Sequence, residues 1–256
     1  MAGFANPFCG PALDLRDSGI VVRFLFVFIV ISRLALQAAT GATAAGGITH
    51  PDPARLEGEI RKFELIDLRT PPPLHPILFT GSSSVRLWTN LTADFPGRTV
   101  LNRGFGGSQM SDLVYFFDRV VRPYKPSMIV VYEGDNDLAG GNSVETVYGE
   151  FLLFLRRVRT DLPGTPVVIL ATKPSPSRLK LLASQRDLDT RLETLAQSSP
   201  GVFFIDTFHP LLDATGVPRP EYYQADKLHL TSAGYAVWQR VVETALNRML
   251  PTGNPR

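Results

Sequence analysis

Residues 128–137 read MIVVYEGDND. Five apolar or aromatic residues, Met128 to Tyr132, stop abruptly at a cluster of Glu, Gly, Asp and Asn. No polar residue alternates within the run, so it reads as a strand buried on both faces, the habit of parallel sheets packed between helices. The pattern recurs at Ile77–Phe79, Thr99–Leu101, Val167–Leu170 and Val202–Ile205. Between these runs lie longer stretches with helical spacing, roughly Met110–Val121, Val144–Arg159 and Leu179–Ala196, with Ala233–Met249 after the last strand. A further helix starts at Pro53 behind Asp52 and carries Leu56, Ile60, Phe63 and Leu68 before Pro71-Pro72-Pro73 ends it. Short strands alternating with helices argue an α/β fold with a doubly wound, five-stranded parallel sheet.

In such sheets ligands sit beyond the carboxyl ends of the strands, where strand order reverses. The loops there are Gly81-Ser82-Ser83-Ser84 after the first strand, Asn102 to Gly107 after the second and Glu133 to Asp137 after the third. They offer a hydroxyl, a flexible backbone donor and a side-chain amide. Asp226-Lys227-Leu228-His229 precedes the last helix. A serine hydroxyl becomes a competent nucleophile when a histidine takes its proton, and the histidine needs a carboxylate on its other nitrogen. Asp226 and His229 are close enough in sequence for one turn to present both. Ser82 and Ser84 stand beside Ser83 as alternative nucleophiles.

The chain has 256 residues, 26 Lys+Arg against 24 Asp+Glu, four histidines and one cysteine. The charges are dispersed, which argues against a nucleic-acid partner. A lone Cys9 excludes internal disulfides and multi-thiolate zinc sites. His50, His75 and His209 read as structural. The stretch from Asp135 begins like a calcium loop, but Ala139 and Thr146 occupy positions that need oxygen ligands. Gly104, Gly106 and Gly107 lack the third glycine of a dinucleotide fingerprint. Gly81-x-Ser83-x-Val85 lacks the second glycine of an α/β-hydrolase elbow. No metal or cofactor is expected.

Residues 1–49 read as a leader. Phe24 to Ile31 (FLFVFIVI) has the length of a signal-peptide core, with Arg23 ahead of it and Ala42-Thr43-Ala44 as a cleavage site. An uncleaved anchor over residues 20–39 and a buried strand or helix are the alternatives. Secreted or periplasmic location is expected, with membrane contact only through a retained leader. The acidic first twenty residues fit translation starting near Val21 or Val22. Residues 50–256 form one domain.

FTGSSSVRLW (79–88), NRGFGG (102–107), GDND (134–137) and DKLHL (226–230) together resemble the four signature blocks of the SGNH, or GDSL, hydrolases, in order and over about 150 residues. The resemblance implies a three-layer α/β/α flavodoxin-like fold and ester hydrolysis through a serine, without a cofactor. By block position it implies Ser83, Asp226 and His229 as the catalytic residues. The amides of Ser83 and Gly107 and the side chain of Asn136 would form the oxyanion hole. The family usually has Asp where this chain has Ser82 and Ser108, so local hydrogen bonding must differ there. A small-molecule or glycan-linked acyl ester, short-chain or acetyl, is the expected substrate. A non-catalytic flavodoxin-like module binding a phosphate or carbohydrate is the competing reading, and it has no use for Asp226-x-x-His229. Lys173 to Lys180 and Asp213 to Gln224 are expected to border the pocket; Lys173, Arg178 and Lys180 read as a solvated loop, with preference for an anionic substrate as the alternative.

Overall fold

The computed structural model describes residues 50–250; the expected leader, with its cleavage site and alternative anchor, lies outside the described residues. Five strands, β1 (Ile77–Gly81), β2 (Val100–Gly104), β3 (Met128–Tyr132), β4 (Val167–Leu170) and β5 (Val202–Ile205), pair in parallel in the order β2-β1-β3-β4-β5. β1 is followed on one side by β2 and on the other by β3, so the order reverses around β1. The loops after these three strands therefore converge. The register aligns Gly81 with both Gly104 and Tyr132, so all three loops leave the sheet at one level.

The helices are α1 (Glu57–Arg69), α2 (Ser83–Arg86), α3 (Leu91–Asp94), α4 (Met110–Tyr115), α5 (Phe117–Val120), α6 (Asp135–Ala139), α7 (Val144–Asp161), α8 (Leu182–Ser198) and α9 (Ser232–Met249). Side chains along a strand alternate between faces, and the core divides accordingly. Leu78, Ile129, Val131 and Ile169 pack under α1, α4, α5, α7 and α8. Phe79, Val130, Tyr132, Val168 and Leu170 pack against α2, α3 and α9. The result is the expected three-layer α/β/α sandwich.

The structure departs from the sequence reading in three places. The expected helix Met110–Val121 breaks at Phe116 (ψ 8°) into α4 and α5; the Tyr-Phe-Phe run and the flanking valines are poor helix formers. The helix expected from Leu179 begins at Leu182. A 3₁₀ turn over Pro176–Leu181 precedes it, with Arg178 out of helical geometry (φ −124°, ψ 28°). Leu68 is 81 % exposed rather than part of the α1 core face. That helix docks partly through charge: Arg119 meets Glu57 at 2.7 Å and Glu64 at 2.6 Å, and Arg103 pairs with Asp67. The ion pairs, together with buried Ile60, set its rotation and turn Leu65, Ile66 and Leu68 outward.

Candidate active site

The serine turn is built by exclusion. Gly81 has φ +119°, and a Cβ there would lie 2.0 Å from the Tyr132 carbonyl oxygen; only glycine lets β1 run so close to the end of β3. Ser82 N–H donates to Tyr132 O (3.1 Å) and Phe105 N–H to Gly81 O (2.8 Å), stitching the three loops together. Ser83 then opens α2. Ser82 and Ser84 are buried at 3 % and 4 % exposure, whereas Ser83 is half-buried. Trp88, after α2, packs against Tyr235 (5.5 Å between ring centroids) and Trp238 (5.9 Å) of α9, and Tyr235 Oη donates to Ser84 O (2.9 Å). The serine turn is thereby clamped to the helix that follows His229.

His229 Nε2 lies 3.0 Å from Ser83 Oγ, and His229 Nδ1 lies 2.6 Å from Asp226 Oδ2. The other Asp226 oxygen accepts the backbone N–H groups of Leu228 (2.9 Å) and His229 (3.0 Å). Partial desolvation raises the Asp226 pKa, but the hydrogen bonds from His229 and the two amides outweigh it and bring it down to about 2. Asp226 is therefore an anion at neutral pH and can only accept. In the neutral imidazole this puts the proton on Nδ1 and leaves Nε2 to accept from the Ser83 hydroxyl. Ser83 is the one residue of the three serines whose hydroxyl meets a histidine among the described residues.

The two flanking loops hold Gly107 and Asn136. Gly107 has φ +74° with open space around a would-be Cβ, and it is exposed. The requirement for glycine there is conformational, and it leaves the amide open to solvent. Asn136 Nδ2 donates to Ser108 O (2.9 Å), joining the loop after β3 to the loop after β2. Where the family usually carries Asp, the Ser108 hydroxyl sits 2.5 Å from Glu133 Oε1 and 3.1 Å from Phe105 O. The acid at this spot comes from the end of β3 instead. Burial, and then the nearby Asp137 charge, push the Glu133 pKa well above its ordinary value. Asp137 accepts from Met110 N–H (2.8 Å) and Gly134 N–H (3.1 Å), and burial still raises its pKa to about 7.

Two features escaped the sequence reading. Lys173 and Arg178 do not belong to a solvated loop: Lys173 is 1 % exposed, and both face buried Asp135, at 3.4 and 2.7 Å. Only Lys180 of the three basic residues is exposed. Second, Asp206-x-x-His209 repeats the Asp226 turn. Asp206 accepts from Phe208 and His209 N–H (both 3.0 Å) and faces His209 Nδ1 at 2.8 Å. The repeated D-x-x-H spacing was visible in the sequence and marks the same local turn.

The family model for the GDSL-like lipase/acylhydrolase family matches residues 76–237. The chain is similar to the platelet-activating factor acetylhydrolase IB subunit alpha2 of Gallus gallus, with 29 % identity over 173 residues, 62 % of this chain and 71 % of that protein. Among solved structures it is similar to a candidate acylhydrolase from Bacteroides fragilis (TM-score 0.66, 22 % identity, 78 % of this chain and 100 % of that one). It is also similar to a GDSL-like lipase from Bacteroides thetaiotaomicron (TM-score 0.64, 19 % identity, 75 % and 98 %). Each of these structural likenesses bears on the fold.

Proposed function

The chain belongs to the GDSL-like lipase/acylhydrolase family and is a hydrolase, and from that premise we propose that it is a serine esterase working through Ser83, His229 and Asp226. The observation that carries this is the unbroken relay from Asp226 to His229 Nδ1 (2.6 Å) and from His229 Nε2 to Ser83 Oγ (3.0 Å). His229 Nε2 takes the Ser83 proton as Oγ attacks the ester carbonyl, and Asp226 stabilises the imidazolium that forms. The oxyanion is received by the Ser83 and Gly107 amides and by Asn136 Nδ2, each such donor being worth about 10²–10³ in kcat. Collapse releases the alcohol, protonated by His229, and leaves an acyl-Ser83. Water, deprotonated by His229, then attacks that ester and frees the carboxylic acid.

We assign the acyl group as short, with acetyl esters of small molecules or glycans as the substrate class. The name of the chicken relative, an acetylhydrolase, supports this. We place the site of action outside the cytoplasm, secreted or periplasmic, a reading supported by the apolar run Phe24 to Ile31 behind Arg23. N-terminal sequencing of the mature protein tests that part, and a mature chain still beginning at Met1 overturns it.

The enzymatic test is p-nitrophenyl acetate turnover by the wild type, Ser83→Ala and His229→Ala. Loss on the order of 10⁶ in kcat is expected for each variant. Wild-type turnover by Ser83→Ala, or by Ser82→Ala and Ser84→Ala failing where Ser83→Ala does not, removes the serine assignment. A folded wild type with no turnover on any acyl ester favours the binding-module reading. A panel of p-nitrophenyl esters of rising chain length tests the acyl assignment, which a preference for long chains overturns.

A further inference from the structure

Arg178 leaves helical geometry in the 3₁₀ turn after β4, and its guanidinium goes to Asn136. Its Nη2 donates to Asn136 Oδ1 at 2.9 Å, and its Nη1 lies 2.7 Å from Asp135 Oδ1. On the other side of the same amide, Asn136 Nδ2 donates to Ser108 O at 2.9 Å. A guanidinium only donates and a carbonyl only accepts, so these two contacts admit one orientation of the amide and not its flip. Asn136 Nδ2 has two protons. One is taken by Ser108 O, and the second remains for a substrate oxygen.

The guanidinium does more than orient. A cationic donor on Oδ1 draws electron density out of the amide, which makes the remaining N–H a stronger donor. Arg178 is itself held from behind. Asp135 is 4 % exposed and is fixed by Gln185 Nε2 (3.0 Å), Lys173 Nζ (3.4 Å) and Tyr132 Oη (3.3 Å). Three elements thus set the carboxylate that sets the arginine. The same loop also reaches the histidine side of the site. Ser177 N–H donates to the carbonyl of Lys227, between Asp226 and His229, at 3.1 Å, and Tyr223 Oη donates to Pro174 O.

We propose that Arg178 is a positioning residue for the oxyanion hole: it locks and polarises the Asn136 amide, and its loop, residues 174–178, braces that donor against the turn that carries His229. The inference rests on the esterase reading above. Arg178 acts through Asn136, so its contribution is felt when charge develops on the substrate oxygen. It belongs to kcat and leaves KM alone.

The test is steady-state p-nitrophenyl acetate kinetics on the full chain for the wild type, Asn136→Ala, Arg178→Met, Arg178→Lys and the double variant Asn136→Ala/Arg178→Met, with melting curves for each. Asn136→Ala is expected to lose about 10²–10³ in kcat. Arg178→Met keeps the amide but weakens it, so a loss of about 10- to 100-fold in kcat is expected, part of the full value of one donor, with KM changed less than about threefold. Arg178→Lys recovers part of that loss. The double variant is no slower than Asn136→Ala alone, because an arginine that works through an absent amide has nothing left to do. Equal losses for Arg178→Met in both backgrounds overturn the proposal, as does wild-type kcat in Arg178→Met. If Arg178→Met does not fold, Arg178→Lys carries the same comparison: a kcat deficit present with Asn136 and absent without it supports the proposal, and a deficit in both refutes it. Wild-type turnover by Asn136→Ala would instead sink the oxyanion assignment, whatever Arg178 does.

Discussion

Glu133→Gln separates a buried acid from a buried carboxylate. Glu133 is 1 % exposed; Oε1 meets the Ser108 hydroxyl at 2.5 Å, and Oε2 has no partner. Burial, and then Asp137, raise its pKa well above the ordinary value, so the native state holds the proton. The neutral acid then donates to Ser108 Oγ, and Ser108 donates onward to Phe105 O, 3.1 Å away. Glutamine reproduces that chain through Nε2 but leaves one extra buried N–H without a partner, at a cost of about 1–3 kcal/mol. Against this, the folded wild type must keep a proton that the unfolded chain releases above its ordinary pKa, about 4.3. From there to the raised native pKa, the wild type loses about 1.4 kcal/mol of stability for each pH unit, and the glutamine variant does not. The difference between the two proteins therefore moves in favour of glutamine as pH rises. Glu133→Gln is expected to gain stability relative to the wild type as pH rises, measured as urea-unfolding free energies at pH 5, 6, 7 and 8. A difference that stays constant with pH, or that turns against glutamine as pH rises, refutes the protonated Glu133 and the direction of hydrogen bonding drawn from it.

The same sign governs the protein as a whole. Burial raises Asp189 to about 8 and Asp137 to about 7, in each case against hydrogen bonds that lower it. Both acids are neutral in the native state below those values and ionised in the unfolded chain above about 4. Stability should fall between pH 5 and 8, and a melting temperature that rises over that range contradicts it. The lowered carboxyls, Asp226 at about 2 and Glu57 at about 2, act outside this window. What they contribute is complete above about pH 4 and is lost as pH falls towards 2. Asp226→Asn preserves shape but offers an amide to His229 and reverses the ring tautomer; a fall of about 10⁴ in kcat on p-nitrophenyl acetate is expected. Gly107→Ala meets no atom but is held at φ +74°, so it should cost about 1–2 kcal/mol in urea unfolding. Gly81→Ala drives a methyl into the Tyr132 carbonyl and should cost clearly more. Equal costs would mean that backbone conformation, not that close approach, is what Gly81 serves.

The strands were legible because each is buried on both faces, so apolar residues run without interruption; β3, β4 and β5 begin and end where the sequence puts them. β2 runs on to Gly104 through Asn102 and Arg103, which no apolar run announces. Arg103 is buried there because it pairs with Asp67 and stacks on Tyr124, 4.8 Å from the ring centroid. Leu68 misled for the same reason: hydrophobic periodicity finds a helix's apolar face, whereas α1 also docks through acids. The serine, glycine and asparagine loops could be picked out since each directly follows a strand, and the histidine turn since it leads into the last helix. Lys173 and Arg178 could not be. Their partners are Asp135 and Asn136, about forty residues earlier in the chain, and a basic residue flanking a proline-rich loop looks solvated until the partner is placed. Ser108 is an intermediate case. The missing aspartate signalled altered bonding, but only the strand register shows that Glu133 supplies the acid.

The duplicated Asp-x-x-His turn shows where the selectivity of the site resides. An aspartate that accepts the amides two and three residues on closes a turn, and its second oxygen then meets the histidine Nδ1 with no help from the rest of the protein. Asp206 and Asp226 both do this, with matching distances. The local motif therefore fixes a tautomer and nothing more. What distinguishes His229 is where the chain delivers it. Asp206 follows β5, the last strand of the sheet order, and the His209 side chain is 67 % exposed. His229 leads into α9, whose Tyr235 and Trp238 grip Trp88 and the Ser84 carbonyl, and it faces the serine that opens α2 just after β1. Because strand order reverses around β1, that serine is also flanked by the glycine and asparagine loops. The proposed nucleophile, base and oxyanion donors are brought to one end of the sheet by topology, whereas the same dyad beyond β5 has no serine hydroxyl against its Nε2 among the described residues.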